Sequence, residues 1–189
     1  MAGAKFTGGE SMSDKESDDK AAPAGEDQSE QEGAKEKPNQ AQLRIERLYL
    51  KDASFESPGS PTIFMEKWQP ETQVDINTTV NNLGDNRHEV VLAVTVTSQR
   101  DGDRVAFVAE VHYAGIFVIE GVDAAQLHQV VGIACPSTLF PYVRESLDSM
   151  IVRGGFPAIH LAPVNFEALY AQAMQQVAQQ QQQQDTIKH

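Results

Sequence analysis

Cys135 is the single cysteine of a 189-residue chain, and a thiol nucleophile requires a His base and an orienting acid beside it. Ile133, Ala134 and Pro136 flank it instead, a setting for a small buried hydrophobe and not for an activated thiolate. His88, His112, His128 and His160 stand singly, without the i, i+4 or CxxC-type spacing of metal ligands, so no metal site is expected. Gly8-Gly9 and Gly154-Gly155 fit neither the Walker pattern nor a strand–GxGxxG–helix unit. With no acid, base and oxyanion donors in one constellation, the sequence predicts no catalytic residue, no cofactor and no enzyme activity. What remains is non-covalent chemistry, carried by acidic and aromatic side chains.

The net charge is −12. Residues 1–40 contribute five Lys against ten Asp and Glu, and the remainder ten basic against seventeen acidic residues. Such a body is a poor binder of nucleic acid or anionic membrane, which call for Lys/Arg clusters. A basic partner suits it better. Residues 1–40 hold Phe6 as their one aromatic, too little apolar surface to offset the entropy of ordering, and are read as a disordered acidic extension. From about Gln179 a run of glutamines offers no packing face, so 179–189 is read as a disordered tail around a folded body at 41–178. A lone cysteine excludes an intrachain disulfide framework, and no signal peptide or membrane-spanning run is apparent. A soluble, cytoplasmic protein is expected.

The elements that must position these side chains follow from periodicity. Leu43 to Glu56 reads as a strand, with Asp52, Ser54 and Glu56 on one side and Ala53 and Phe55 on the other. Prolines at 58, 61 and 70 then forbid helix and central strand, leaving an apolar crossover loop with Ile63, Phe64, Met65 and Trp68. Glu71 to Asn81 is a second strand with Val74, Ile76, Thr78 and Val80 on one face. A third spans His88 to Gln99, and Asp101-Gly102 predicts a tight hairpin into an antiparallel fourth. That strand carries Val105, Phe107, Ala109, Val111 and Tyr113 on one face, Val108 and Glu110 on the other.

Asp123 with Gln126 resembles a capping box opening a helix. Pro136 and Pro141 must bend or interrupt it, and Gly154-Gly155 ends it. Asn165 caps a last amphipathic helix with Phe166, Leu169, Tyr170, Ala173, Met174 and Val177 on one stripe. Strands first and helices afterwards predict an α+β fold with a four-stranded antiparallel sheet, a long kinked helix and a shorter C-terminal helix. Two helices cover such a sheet thinly, so the remaining apolar surface should be buried in an oligomer or used for binding.

These segments resemble the SecB family of export chaperones. The likeness runs through Lys51-Asp52-Ala53-Ser54-Phe55-Glu56-Ser57-Pro58, Trp68-Gln69-Pro70, Glu89-Val90-Val91-Leu92-Ala93-Val94-Thr95-Val96, Gly115-Ile116-Phe117, Cys135-Pro136, Leu139-Phe140-Pro141-Tyr142-Val143-Arg144-Glu145, Phe156-Pro157 and Leu161-Ala162-Pro163-Val164-Asn165-Phe166. It implies a homotetramer built as a dimer of dimers. It also implies an ATP-independent chaperone that keeps unfolded secretory preproteins translocation-competent and delivers them to SecA. A SecB-like chaperone dedicated to a toxin–antitoxin pair is the alternative.

The resemblance further implies a client groove formed by Phe64, Trp68, Val74, Phe166, Leu169 and Tyr170, and a SecA-docking face formed by Asp52, Glu56, Val108 and Glu110. Aromatic side chains on a proline-framed loop offer apolar contact area without closing into a core, although Val74 and Leu169 suit core filling equally well. An acidic sheet face steers and orients a basic partner.

Overall fold

A computed structural model describes residues 41–100 and 104–187, with side-chain environments through residue 179. The expected N-terminal extension and the Asp101-Gly102 turn lie outside the described residues. The strands are β1 (Gln42–Glu56), β2 (Glu71–Gly84), β3 (Arg87–Arg100) and β4 (Arg104–Glu120). They form one antiparallel sheet in the order β1-β4-β3-β2. β3 and β4 pair from Arg87↔Val118 to Arg100↔Arg104, the hairpin partnership that the sequence predicts.

The two-residue period sorts side chains to opposite faces. Val90, Leu92, Val94 and Val96 of β3 and Phe107, Ala109, Val111 and Phe117 of β4 are fully buried on the face that the helices cover. Against them pack Leu139, Val143, Leu147 and Ile151, each four residues from the next, as one stripe of a helix.

That stripe belongs to a long helix made of α1 (Ala124–Gln129), a π turn (Val130–Ala134) and α2 (Cys135–Arg153). Asp123 opens it with the expected capping box: its carboxylate accepts from Gln126 N at 2.8 Å, and the Gln126 side chain accepts from Asp123 N at 3.0 Å. The irregularity sits directly ahead of Pro136. Proline has no N–H to donate to the carbonyl four residues back, and the turn widens so that Cys135 N bonds Val130 O, an i→i−5 bond. Ser137 and Thr138 hydroxyls donate to the Ile133 and Ala134 carbonyls at 2.6 and 2.9 Å. Pro141 lies inside α2 without ending it.

After Gly155, whose φ is +88°, a loop leads to α3 (Phe166–Ile187), capped where Ala168 N donates to Asn165 Oδ1 at 3.0 Å. The backbone of α3 continues through the glutamine run to Ile187, where the sequence suggested a structureless tail from 179. Glutamine has a helix propensity close to that of leucine, so a helix anchored at Phe166 propagates through it without needing a packing face.

Candidate functional site

The sheet has two faces with different chemistry. On the face away from the helices, register places Asp52 opposite His112, Ser54 opposite Glu110 and Glu56 opposite Val108. All four residues expected at an acidic docking surface therefore share one patch, and Asp52 to Glu56 alone spans about 13 Å of strand. A β-bulge between Leu50 and Asp52 makes this possible. It inserts Lys51 as an extra residue, so Tyr49, Lys51 and Asp52 all serve the same face, and clean alternation holds only beyond it. Sequence reasoning left out His112, whose Nε2 lies 2.6 Å from Glu110 Oε1.

Beside this row lies a polar clamp. The Glu89 carboxylate on β3 accepts from Tyr49 Oη and from Lys51 Nζ (2.7 Å), both on β1, and from Asn81 Nδ2 (2.8 Å) on β2. Tyr49 is paired with Ala114, whose methyl leaves room for the ring to cross β4 and reach β3. Hydrogen bonds from Lys51, Tyr49 and Asn81 outweigh desolvation and hold the Glu89 carboxyl down at about 2. The same carboxylate pushes the Tyr49 hydroxyl up to about 12. Three of the four strands are tied at this point.

The helix-covered face carries the aromatic residues, in two clusters. In the first, Phe156 is buried and central, with ring centroids 4.8 Å from Phe107, 5.0 Å from Phe64, 5.3 Å from Trp68 and 6.2 Å from Phe55. Phe64 is 50% exposed, and Trp68 is half-buried. Gly154 permits this assembly, because a Cβ there would stand 2.2 Å from Phe55 Cζ. Phe55, Phe107 and Phe156 were read from sequence as strand-face or motif residues and not as part of this cluster. Phe156 follows a helix-ending Gly-Gly pair, and only the fold reveals that it underlies a loop ninety residues earlier.

The second cluster is a cavity of about 460 Å³ between β2 and α3, lined among others by Ile76, Val80, Val131, Phe166, Leu169 and Tyr170. Phe166 is buried at its floor, with its ring centroid 5.9 Å from that of Phe140. Leu169 is 41% exposed at the rim. The Tyr170 ring lies on Gly132, where an added Cβ would approach Cδ2 to 2.6 Å. Val74, 38% exposed, stands on the same β2 face one pleat before Ile76, between the end of the crossover loop and the cavity. Five of the six expected groove residues thus divide into Phe64 with Trp68 and Phe166 with Leu169 and Tyr170, and the sixth, Val74, lies on β2 in neither group.

Cys135 is fully buried, and burial pushes its thiol up to about 12, the environment of an inert core residue.

The family model for preprotein translocase subunit SecB matches residues 36–177. The protein-export protein SecB of Marinobacter nauticus is 47% identical over 147 residues, covering 78% of this chain and 88% of that protein. The protein of the same name from Ectopseudomonas mendocina is 51% identical over 138 residues, 73% of this chain and 85% of its own length. Among solved structures, a Mycobacterium tuberculosis SecB-like chaperone in complex with a ChAD peptide from an antitoxin aligns with a TM-score of 0.52 at 14% identity. It covers 65% of this chain and 90% of that one, a likeness of fold.

Proposed function

The chain belongs to the SecB family, and from that premise we propose that it is an export chaperone whose sheet serves a different partner on each face. It binds unfolded secretory preproteins without ATP and keeps them translocation-competent. The crossover-loop aromatics and the β2–α3 cavity take apolar stretches of the client, and the opposite acidic row docks SecA. The observation that carries this reading is the separation itself: exposed Phe64 and half-buried Trp68 lie on the helix-covered side, while Asp52, Glu56 and Glu110 line the other.

Aromatic side chains supply contact area with little demand on client sequence, and several weak contacts along one long chain add by avidity. A homotetramer, as a dimer of dimers, fits the apolar residues left uncovered. Leu43, Ile45 and Leu50 on the helix-covered side of edge strand β1 are 43 to 51% exposed, and a second protomer would bury them.

Trp68→Ala tests the client face. An unfolded precursor should bind about tenfold more weakly, as expected for loss of an aromatic anchor, while native mass spectrometry reports an unchanged oligomer. Equal affinity would remove Trp68 from the groove. For the other face, the double charge reversal Asp52→Lys with Glu110→Lys should abolish SecA binding at low salt and leave client binding intact. SecA binding at parental affinity would refute the docking assignment.

A further inference from the structure

The crossover loop has an ionic anchor that neither the family resemblance nor the groove reading assigns. The loop leaves β1 at Glu56 and must return at β2, on the opposite edge of the sheet, so it passes the ends of β4 and β3. At its entry Ser57 Oγ donates to Ala106 O at 3.0 Å. In its short 3-10 turn (Thr62–Met65), Ile63 is buried in the core. Beyond that turn Glu66 meets both strand ends: Arg104 donates from Nη1 to Oε1 at 2.9 Å and from Nη2 to Oε2 at 2.7 Å, and Arg100 Nη1 donates to Oε2 at 2.9 Å.

The Arg104 contact is bidentate, the geometry in which a guanidinium fixes the direction of a carboxylate and not only its position. The Arg100 side chain is 9% exposed and Glu66 28%, so that bond is part-buried, while Arg104, 51% exposed, meets Glu66 from the solvent side. Glu66 stands two residues from Phe64 and two from Trp68, and both rings rest on Phe156. Met65, between Phe64 and Glu66, is 86% exposed, so the adjoining residue adds little hold.

We propose that Glu66 is the positioning residue of the client groove, a latch to Arg100 and Arg104 that holds Phe64 and Trp68 on the Phe156 platform in the orientation that captures clients. The inference rests on the groove reading above. Its mechanism is preorganisation: a loop already fixed in its binding geometry loses less freedom when a client arrives. The latch acts through the aromatics and touches no client itself.

Trp68 is the sole tryptophan of the chain, so intrinsic fluorescence reports the loop directly. The experiment uses the full-length oligomer as parent, Glu66→Gln, Arg104→Glu, and the double variant Glu66→Arg with Arg104→Glu. The double variant keeps one carboxylate among guanidiniums with the roles exchanged. Each is measured for acrylamide quenching of Trp68 and for affinity toward a permanently unfolded, reduced and carboxymethylated protein.

Glu66→Gln and Arg104→Glu should raise quenching and weaken capture about fivefold to tenfold, the scale of one charge-assisted hydrogen bond. The double variant should recover most of both. A role for Glu66 in global stability alone predicts a lower urea midpoint in Glu66→Gln with quenching and capture at parental values. If Glu66→Gln leaves quenching and affinity at parental values while Trp68→Ala still weakens capture, the latch is refuted and the groove stands. If Trp68→Ala leaves capture unchanged, the groove reading fails, and the quenching series alone then decides whether Glu66 orders the loop.

Discussion

Replacing Glu89 by glutamine should destabilise the protein at neutral pH and cost almost nothing near pH 2. The carboxylate is 11% exposed as a side chain and bonded by three donors from the two strands β1 and β2. Its carboxyl is held down from 4.5 to about 2, chiefly by the hydrogen bond from Lys51 and then by those from Tyr49 and Asn81. A group whose folded pKa lies below its unfolded value contributes stability that is complete above the unfolded value and disappears as pH falls through the folded one. Glu89 therefore contributes fully above about pH 5 and loses its contribution between there and about pH 2.

The depression corresponds to about 3 kcal/mol at 1.36 kcal/mol per unit, a ceiling, since Lys51 is 42% exposed and its charge is partly screened. Glutamine keeps the shape and one acceptor but loses the charge and turns a donor toward Asn81. The expected deficit at pH 7 is about 2 kcal/mol.

Urea unfolding followed by far-ultraviolet circular dichroism, at one fixed protomer concentration because assembly shifts apparent stability, measures it at pH 7, 4 and 2.5. The two proteins should converge as pH falls. A deficit that stays constant across that range, or none at pH 7, would refute the charged clamp. At the alkaline end, Tyr49 donates to Glu89 only while protonated. Its hydroxyl is raised to about 12, so that contribution is complete below about pH 10 and is lost as pH rises through the folded value.

Two further outcomes test the helix side. Gly132→Ala would set a methyl 2.6 Å from Tyr170 Cδ2, forcing the ring and α3 outward. Client binding at the β2–α3 cavity should change while the thermal midpoint falls by several degrees, the response to about 1 kcal/mol in a domain of this size, whereas parental values for both would place Tyr170 elsewhere. Cys135, buried with its thiol pushed up to about 12, should resist iodoacetamide at pH 8 in the native protein and react readily in urea. Rapid native labelling would contradict its burial.

How much of this was legible in sequence depended on the range of each interaction. Strand periodicity, the Asp123–Gln126 capping box and the Asn165 cap are set by neighbours within four residues, and the fold reproduces them. That Asp52, Ser54 and Glu56 share a face was legible for the same reason beyond Lys51, where β1 alternates regularly, but the pattern before it was not, because a bulge leaves no mark in a two-residue period. A bend or interruption was expected at both Pro136 and Pro141, and α2 runs through Pro141 without ending. Only the first is accompanied by a π turn.

The aromatic cluster on Phe156 shows where local reasoning stops. Phe64 and Trp68 announce themselves through their prolines, but the surface they rest on is Phe156, ninety residues away. The Glu66 carboxylate, which bonds Arg100 and Arg104, sits in a stretch, Met65-Glu66-Lys67, that reads as ordinary solvated loop. Likewise Glu89 opens the apolar run of β3 as an apparent edge charge, and it becomes the meeting point of Tyr49, Lys51 and Asn81 only once β1 and β2 are placed on either side of the hairpin. Both carboxylates hold together strands or loops that sequence places far apart. Register is a property of pairing, so periodicity along one strand identifies the residues each face presents and leaves open the ones they meet.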